Sequence, residues 1–237
     1  MKIMKQIFAW FAFAVASSAM AALESVKFDS NNLLPGFPLS MVNEGVTEAH
    51  VIFAVSISPE GRVNDALPLA YTHEALVAPC RAAMSQWAIQ PAKFGGEPVP
   101  VQVELRFDFK REGVVETSTF NIMNNFLYSV WSGLAERLAY RLPRAAELDR
   151  LPVPLTAVSP AYAQQAEKDG LRGKVHVHFY IDEKGEVRLP SVMADSPLYL
   201  ADLAVTALRQ WRFEPPTRAG RPVLVAASQE FDFGQTK

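Results

Sequence analysis

The sequence predicts an α+β fold with two tandem domains, each a three-stranded antiparallel sheet covered by one main helix. The first observation is an internal repeat: residues 51–109 align with residues 175–233 at an offset of 124 without a gap, and about 17 of the 59 positions are identical. The second observation is that the identities fall on turn-forming and aromatic residues. The matched positions are Gly61/Gly185, Trp87/Trp211, Pro91/Pro215, Gly96/Gly220, Pro98/Pro222 and the closing Phe-Asp-Phe tripeptides.

The second copy, residues 150–234, shows the pattern of one domain most clearly. Strict alternation of apolar and polar residues predicts half-buried strands, a glycine at the turn predicts a hairpin, and apolar residues at helical spacing predict a helix that packs on the sheet. The predicted elements in order are a short helix at 163–169, strands at 174–182 and 186–194, a helix at 200–211 and a strand at 223–233.

The first copy, residues 30–110, repeats this order with a less regular pattern. We expect strands at 50–58, 62–70 and 99–109 and a helix at 76–89. The chain's one cysteine, Cys80, falls in that helix, where a buried small apolar side chain is expected rather than a reactive thiol.

The connecting segment, residues 111–149, is predicted to be a helical linker. Residues 117–135 hold no charge, and their apolar residues follow helical spacing, although asparagines and serines interrupt the pattern too often for a membrane span. A helix packed on one or both domains is expected here. A membrane-surface helix and a dimerisation surface are the alternatives.

Residues 1–21 read as an export signal. Two lysines precede an apolar stretch of about ten residues, which is too short to span a bilayer, and the sequence Ala19-Met20-Ala21 gives a small-residue cleavage site. The protein is therefore predicted to be periplasmic, with cleavage after Ala21. An uncleaved inner-membrane anchor is the alternative.

Composition and motifs argue against several other classes of function. The formal charge of −2 gives no basic stripe for nucleic acid. No nucleophile motif, phosphate-binding glycine loop or paired cysteine motif occurs, so we predict that the protein is not an enzyme and needs no cofactor. His176 and His178 share one face of a strand, but a solvated strand face is expected there and no metal site is predicted.

One set of motifs resembles the TonB C-terminal domain family over nearly all of residues 150–234. The carriers are a Gly-x-Val-x-Val-x-Phe strand from Gly173, the hairpin glycine Gly185, and the run from Ala207 to Pro215 followed by an Arg-Pro-Val strand. The first copy keeps Gly61, Val63, Trp87 and Pro91 but departs from the family around the tryptophan.

The resemblance implies a protein-interaction module of TonB-dependent transport. In that family an extended segment of an outer-membrane receptor, the TonB box, adds to the sheet edge near the last strand, and the ExbB–ExbD inner-membrane motor supplies the energy. Carried over here, it implies edges at 223–233 and, in the first copy, at 99–109. The implied peptide-binding residues are Val223, Val225, Ala227, Gln229, Phe231 and Lys174, the last standing where the family carries a glutamine.

The expected partner is an outer-membrane TonB-dependent receptor or another periplasmic protein. The long Pro/Lys/Glu-rich spacer of TonB and a lasting membrane anchor are not evident, which argues against direct coupling to the motor. Two alternatives stay open: a periplasmic scaffold whose two domains pair edge to edge, and an inner-membrane-anchored short TonB that works with the motor proteins. A homodimer is a further option, because related sheet edges also pair between copies.

Overall fold

A computed structural model describes residues 23–111, 115–121, 138–161, 170, 172–192 and 198–234. The predicted export signal at 1–21, the predicted helix at 163–169 and residues 122–135 of the uncharged segment lie outside the described residues. Within the described ranges, no helix combines the length and the apolar character that crossing a bilayer requires.

The described elements are three short α-helices, two 3₁₀ turns and seventeen strands, several of only two or three residues. The helices are α1 (Leu39–Asn43), α2 (Val77–Met84) and α3 (Leu198–Leu208), and the 3₁₀ turns are Glu74–Leu76 and Ala145–Glu147. The strands are β1 (Leu23–Glu24), β2 (Lys27–Phe28), β3 (Glu48–Ile57), β4 (Val63–Tyr71), β5 (Ile89–Gln90), β6 (Ala92–Phe94), β7 (Glu97–Val99), β8 (Val101–Lys110), β9 (Val115–Asn121), β10 (Tyr140–Arg141), β11 (Pro154–Thr156), β12 (Gly173–Ile181), β13 (Val187–Val192), β14 (Arg212–Phe213), β15 (Thr217–Arg218), β16 (Arg221–Pro222) and β17 (Val225–Phe233).

The main sheet of the first domain is antiparallel and has five strands in the order β10-β4-β3-β8-β9. The alternation in β3 and β8 directs one row of apolar side chains toward α2, where Phe53, Phe107 and Leu76 are fully buried in one core. The prediction of three strands was wrong for this domain, because β9 and β10 come from the connecting segment. Residues 117–121, predicted as helix, lie in strand β9.

The main sheet of the second domain has the predicted three antiparallel strands, in the order β13-β12-β17. One face packs on α3: Val177 and Ile181 of β12 meet Ala204 and Leu208 of the helix in a second core. The last strand starts at Val225, two residues later than predicted.

Two structural features recur in both domains at positions 124 residues apart: a glycine in the hairpin turn and a tryptophan after the helix. The glycine is the first. A Cβ on Gly61 would lie 2.0 Å from the carbonyl oxygen of Ile89, and a Cβ on Gly185 would lie 2.0 Å from the carbonyl oxygen of Phe213. Both glycines have positive φ, +75° and +80°. Each hairpin turn thus needs glycine for its conformation and for the close approach of a second backbone segment.

The second recurring feature is a hydrogen bond from the indole of the repeated tryptophan. Trp211 Nε1 donates a hydrogen bond to the carbonyl oxygen of Val158 at 2.8 Å, and Trp87 Nε1 donates to that of Leu33 at 2.9 Å. Each tryptophan therefore joins the end of its helical segment to the chain that leads into its domain, while its ring lies against the domain core.

The two sheets pack against each other through the faces that do not meet the helices. Ile52, Ala54 and Leu69 of the first sheet form a third apolar cluster with Tyr180 and Leu189 of the second. The order of layers is therefore helix, sheet, sheet, helix, and this packing places the two domains back to back.

Polar contacts accompany this packing. Arg188 of β13 donates to both carboxylate oxygens of Asp65 in β4, at 3.0 and 2.6 Å, and Gln102 of β8 donates to the carbonyl oxygen of Pro190 at 2.9 Å. In the described ranges the domains meet through these faces and no strand of one main sheet pairs with a strand of the other. The edge-to-edge scaffold was therefore wrong for the described strands.

Candidate functional site

Strand β17 is an edge strand of the second sheet. All nine of its residues pair with β12, from Gly173↔Phe233 to Ile181↔Val225. Along the opposite side of residues 225–232, no other described strand is paired. An edge of this kind presents a row of backbone N–H and C=O groups to which a further extended chain can add.

The corresponding strand of the first domain, β8, is flanked on both sides. It pairs with β3 on one side and with β9 on the other, where the register runs from Val103↔Asn121 to Phe109↔Val115. The predicted binding edge at 99–109 is therefore closed by the chain's own next strand. Only four residues, 111–114, separate β8 from β9 in the sequence, so the strand that occupies this edge is the next one along the chain.

The predicted peptide-binding residues on β17 occupy its core-facing row. Val225 and Phe231 are buried, and Ala227 and Gln229 are partly buried beneath the sheet. Their side chains fix the strand on α3 and on the tryptophan, since the rings of Trp211 and Phe231 meet edge to face at 5.8 Å. Their side chains thus face the core and do not point out from the open edge.

Val223 lies outside the strand. Its backbone N–H donates to the carbonyl oxygen of Pro216 at 2.9 Å, so this donor is already used within the domain. The edge ladder begins two residues further on.

Lys174 lies on β12, opposite Asp232 of the edge strand. Its ammonium group pairs with Glu230 Oε1 at 2.7 Å, and His176 Nε2 lies 3.1 Å from Glu230 Oε2. The hydrogen bond with Glu230 raises the pKa of Lys174, and the same bond lowers the pKa of Glu230. Lys174 therefore neutralises the charge of Glu230 on the edge strand, although Lys174 itself belongs to the neighbouring strand β12.

Sequence reasoning missed the outward row of β17. Ala226, Ser228, Glu230 and Asp232 alternate with the core-facing residues and are exposed. The strict period of two in residues 223–233 was the signal that could have found them, since side chains that alternate with a buried row must face away from the core. In this row only Glu230 and Asp232 are charged.

The histidine pair on β12 is solvated. His176 contacts Glu230, and within the described ranges no group of three or more potential metal ligands comes together. Cys80 is fully buried, and burial raises the pKa of its thiol to about 12. At the open edge of β17, the exposed side chains that can pair with the charge of another chain are Glu230 and Asp232.

Three comparisons relate the chain to known proteins. The family model described as Gram-negative bacterial TonB protein C-terminal matches residues 41–111 and 158–234. Protein TonB of Pseudomonas aeruginosa (strain PAO1) is 33% identical over 81 residues, which are 34% of this chain and 24% of that protein. The chain thus spans about a quarter of the length of the curated relative that it matches.

Among solved structures, the solution NMR structure of the Pseudomonas aeruginosa TonB CTD is similar to part of the chain. It is 30% identical, with a TM-score of 0.31, and the match covers 36% of this chain and 88% of that one.

Proposed function

Because the chain belongs to the family of Gram-negative bacterial TonB C-terminal domains, we propose that it binds extended peptide segments by sheet-edge addition at β17, in support of TonB-dependent transport. The observation that carries the proposal is the contrast between the two domains. The last strand of the second domain has an open side along residues 225–232 in the described part of the chain, whereas the equivalent strand β8 is occupied by β9.

The physical basis of binding is the backbone ladder of β17. An added strand gains main-chain hydrogen bonds along the open edge, and side-chain contacts select among sequences. The core beneath β17 holds the strand in place through Val225 and Phe231, so the edge is formed before the partner arrives and little ordering is needed on the protein's side. The expected partner is the TonB box of an outer-membrane receptor or a similar extended periplasmic segment.

The proposal places the protein in the periplasm, with residues 1–21 removed after Ala21. Mass spectrometry of the protein recovered from the periplasm tests this part. A mass that retains residues 1–21 would favour the inner-membrane-anchored alternative, in which the domain works with motor proteins.

The direct test titrates isotope-labelled protein with TonB-box peptides and receptor plug segments and follows backbone amide shifts. We expect shifts that run along Val225–Phe233 and leave β8 unchanged, because β9 already occupies the edge of β8. Shifts confined to other surfaces, or no shifts at millimolar peptide, would refute edge addition.

Cross-linking gives an independent test on the same edge. A cysteine in place of Ser228, which is exposed on β17, is expected to form a disulfide with a cysteine-containing peptide. Asp202→Cys on the exposed side of α3 is the matched control and should not cross-link above background. The native Cys80 does not interfere, since it is fully buried and its thiolate is disfavoured.

A further inference from the structure

The chain that leads into the second domain and the segment beside it form one surface rich in arginine. Backbone hydrogen bonds hold the two side by side: Glu214 N–H donates to the carbonyl oxygen of Val153, and Asp149 N–H donates to that of Thr217, both at 2.9 Å. We call residues 140–158 and 209–222 together the arginine surface. It carries seven arginines and three carboxylates, in a chain whose formal net charge is −2. The arginines are Arg141, Arg144, Arg150, Arg209, Arg212, Arg218 and Arg221, and all but Arg141 are exposed.

The three carboxylates of the arginine surface are already bonded. Glu147 pairs with Arg141 at 2.6 Å, and Glu214 pairs with Arg150 at 2.7 Å. Asp149 accepts hydrogen bonds at 2.8 and 2.9 Å from two backbone N–H groups of the turn between β15 and β16. The positive charge is therefore in excess. The arginines that form no ion pair with a described residue are Arg144, Arg209, Arg212 and Arg221.

Two of the arginines lie directly opposite each other in the hairpin of β15 and β16. Arg218 and Arg221 are partners in this antiparallel pair, and Arg218 reaches only a carboxylate already paired elsewhere, Glu147, at 3.6 Å. Like charges at directly opposite positions destabilise such a pair. The hairpin forms without them, because the equivalent partners in the first domain are Phe94 and Glu97. A repulsive pair that the fold does not need favours a role in binding an anionic partner.

Exposed aliphatic side chains lie within the arginine surface. Leu151, Val153 and Leu155 are 65, 49 and 64% exposed. At the matching contact of the first domain, where β2 pairs with β5, Phe28 packs on the core and meets the ring of Trp87 edge to face at 5.6 Å. The second copy thus leaves open an apolar patch where the first has covered one, and patches of this kind mark interaction sites.

The backbone between these side chains suits contact with lipid. Pro152 and Pro154 have no N–H group, and the carbonyl oxygen of Val153 already accepts the N–H of Glu214. Unsatisfied backbone groups are costly in an apolar medium, so a segment with few free donors enters the boundary of a bilayer more easily. The same lack of donors disfavours the pairing of a further strand with this segment.

We infer that the arginine surface docks on a bilayer that contains anionic phospholipid, with Leu151, Val153 and Leu155 among the headgroups and the arginines on the phosphates. Apolar side chains beside basic ones are the combination that membrane-surface segments use. The planar guanidinium group also matches the geometry of a phosphate. Docking involves no residue of β17 and does not require edge addition there.

Co-sedimentation with vesicles tests the role of charge. We expect the protein recovered from the periplasm to bind vesicles that mix phosphatidylglycerol with phosphatidylcholine, and to bind phosphatidylcholine alone far more weakly. In Arg218→Gln/Arg221→Gln the affinity for the mixed vesicles should fall about 25-fold, or about five-fold for each charge removed. The control Arg62→Gln/Arg111→Gln removes two exposed arginines of the first domain and should bind like the wild type. All variants share one amino terminus, so residues 1–21 cannot cause a difference between them.

A second pair of variants tests the role of the aliphatic side chains. Leu151→Ser/Leu155→Ser should weaken binding to the mixed vesicles by about five-fold or more, because less apolar surface enters the bilayer. Leu33→Ser/Leu39→Ser is the control, since it removes two exposed leucines of the first domain, and it should leave binding unchanged. The changed side chains are exposed, so all variants should keep the unfolding midpoint of the wild type.

Weaker binding in both test variants, with both controls unchanged, would support docking on the bilayer. Failure of the wild type to bind the mixed vesicles would overturn the inference and leave a protein partner for the arginine surface. Undiminished binding by Arg218→Gln/Arg221→Gln would overturn it as well. If only the arginine variant loses affinity, the surface attracts any polyanion, nucleic acid included, and docking on a bilayer is refuted.

Discussion

Glu104 lies buried where the two domains meet, and this position makes the stability of the protein depend on pH. The residue is on β8, on the face that packs against the second sheet, and is 7% exposed. It lies close enough to Tyr180 of β12 for its charge to raise the pKa of that hydroxyl, after the larger effect of burial. No described residue donates a hydrogen bond to its carboxyl group.

Burial raises the pKa of Glu104 from 4.5 to about 7. Since the folded state holds the proton of Glu104 more strongly than the unfolded chain does, the contribution of this residue to the free energy of unfolding is greatest below about pH 4.5 and falls as the pH rises toward 7. At 1.36 kcal/mol per pKa unit, the loss is about 3 kcal/mol as an upper bound, because water that reaches the carboxylate reduces it. Above about pH 7 the loss is complete.

The informative change is Glu104→Gln, which keeps the shape of the side chain and removes the charge. We expect the variant to be about 1–3 kcal/mol more stable than the wild type at pH 8 and nearly equal to it at pH 4.5. Urea unfolding followed by tryptophan fluorescence between pH 4.5 and 8.5 measures the difference. Glu97→Gln, at an exposed position on β7, is the control and should follow the wild type.

Two parallel curves of stability against pH, for the wild type and Glu104→Gln, would refute the reasoning. They would mean that the carboxylate finds compensation in the folded protein equal to what it has in water. A variant that is less stable than the wild type at every pH would also refute it, because the gain at pH 8 comes only from removing a buried charge.

Three further changes test the packing described above. Gly185→Ala should destabilise the protein by several kcal/mol, because the new Cβ would lie 2.0 Å from the carbonyl oxygen of Phe213. Gly220→Ala is the control: Gly220 has a similar positive φ but no atom near its Cβ position, so the change should cost only about 1–2 kcal/mol. Thermal melts of both variants measure the difference. Trp211→Phe should lower the free energy of unfolding in urea by about 1 kcal/mol, because the carbonyl group of Val158 loses its indole donor. An unchanged unfolding midpoint would contradict a stabilising role for this hydrogen bond. Arg188→Lys should weaken the packing between the two sheets by about 1 kcal/mol, because an ammonium group cannot form the paired hydrogen bonds to Asp65. Faster amide exchange in β4 and β13 is the expected result.

The parts of the fold that sequence predicted well are those set by local chemistry. Gly61 and Gly185 marked the two hairpins, because positive φ at a turn restricts the residue type, and the alternation around Val177 predicted β12 and its buried row. The comparison of the two copies strengthened both predictions, since the same residues recur in the same register. The predicted bounds of the six strands differ from the observed ones by at most two residues, which is the usual uncertainty at strand ends.

Two of the failures depended on contacts distant in sequence, and one on a local signal that was overlooked. Tyr180 alternates with buried residues on the face of β12 that was expected to be solvated at His176 and His178, but the first sheet covers it. The Arg188–Asp65 contact joins residues 123 positions apart and leaves no local pattern. At Thr117 the apolar spacing favoured a helix, and the β-branched Val115, Thr117 and Thr119 were the overlooked signal for a strand.

The duplication has a structural consequence for binding. Two equal copies would expose two equal edges, and open edges promote aggregation as readily as they bind partners. Here the connecting segment adds β9 to the first sheet, so β8 becomes an internal strand. The faces of the two sheets are used as well, since Ile52 and Tyr180 meet in one cluster between the domains.

Among the described strands, the closing strand of the second copy, β17, has no partner on its outer side, whereas its equivalent β8 is paired on both sides. The first sheet covers the second near Tyr180, while Lys174, Glu230 and Asp232 stay exposed toward the other end of β12 and β17. A chain added to β17, as proposed, would therefore meet accessible charge at the Asp232 end of the strand. This is also the end at which the two copies differ in the sign of a charge, since Glu230 stands where the first copy has Arg106.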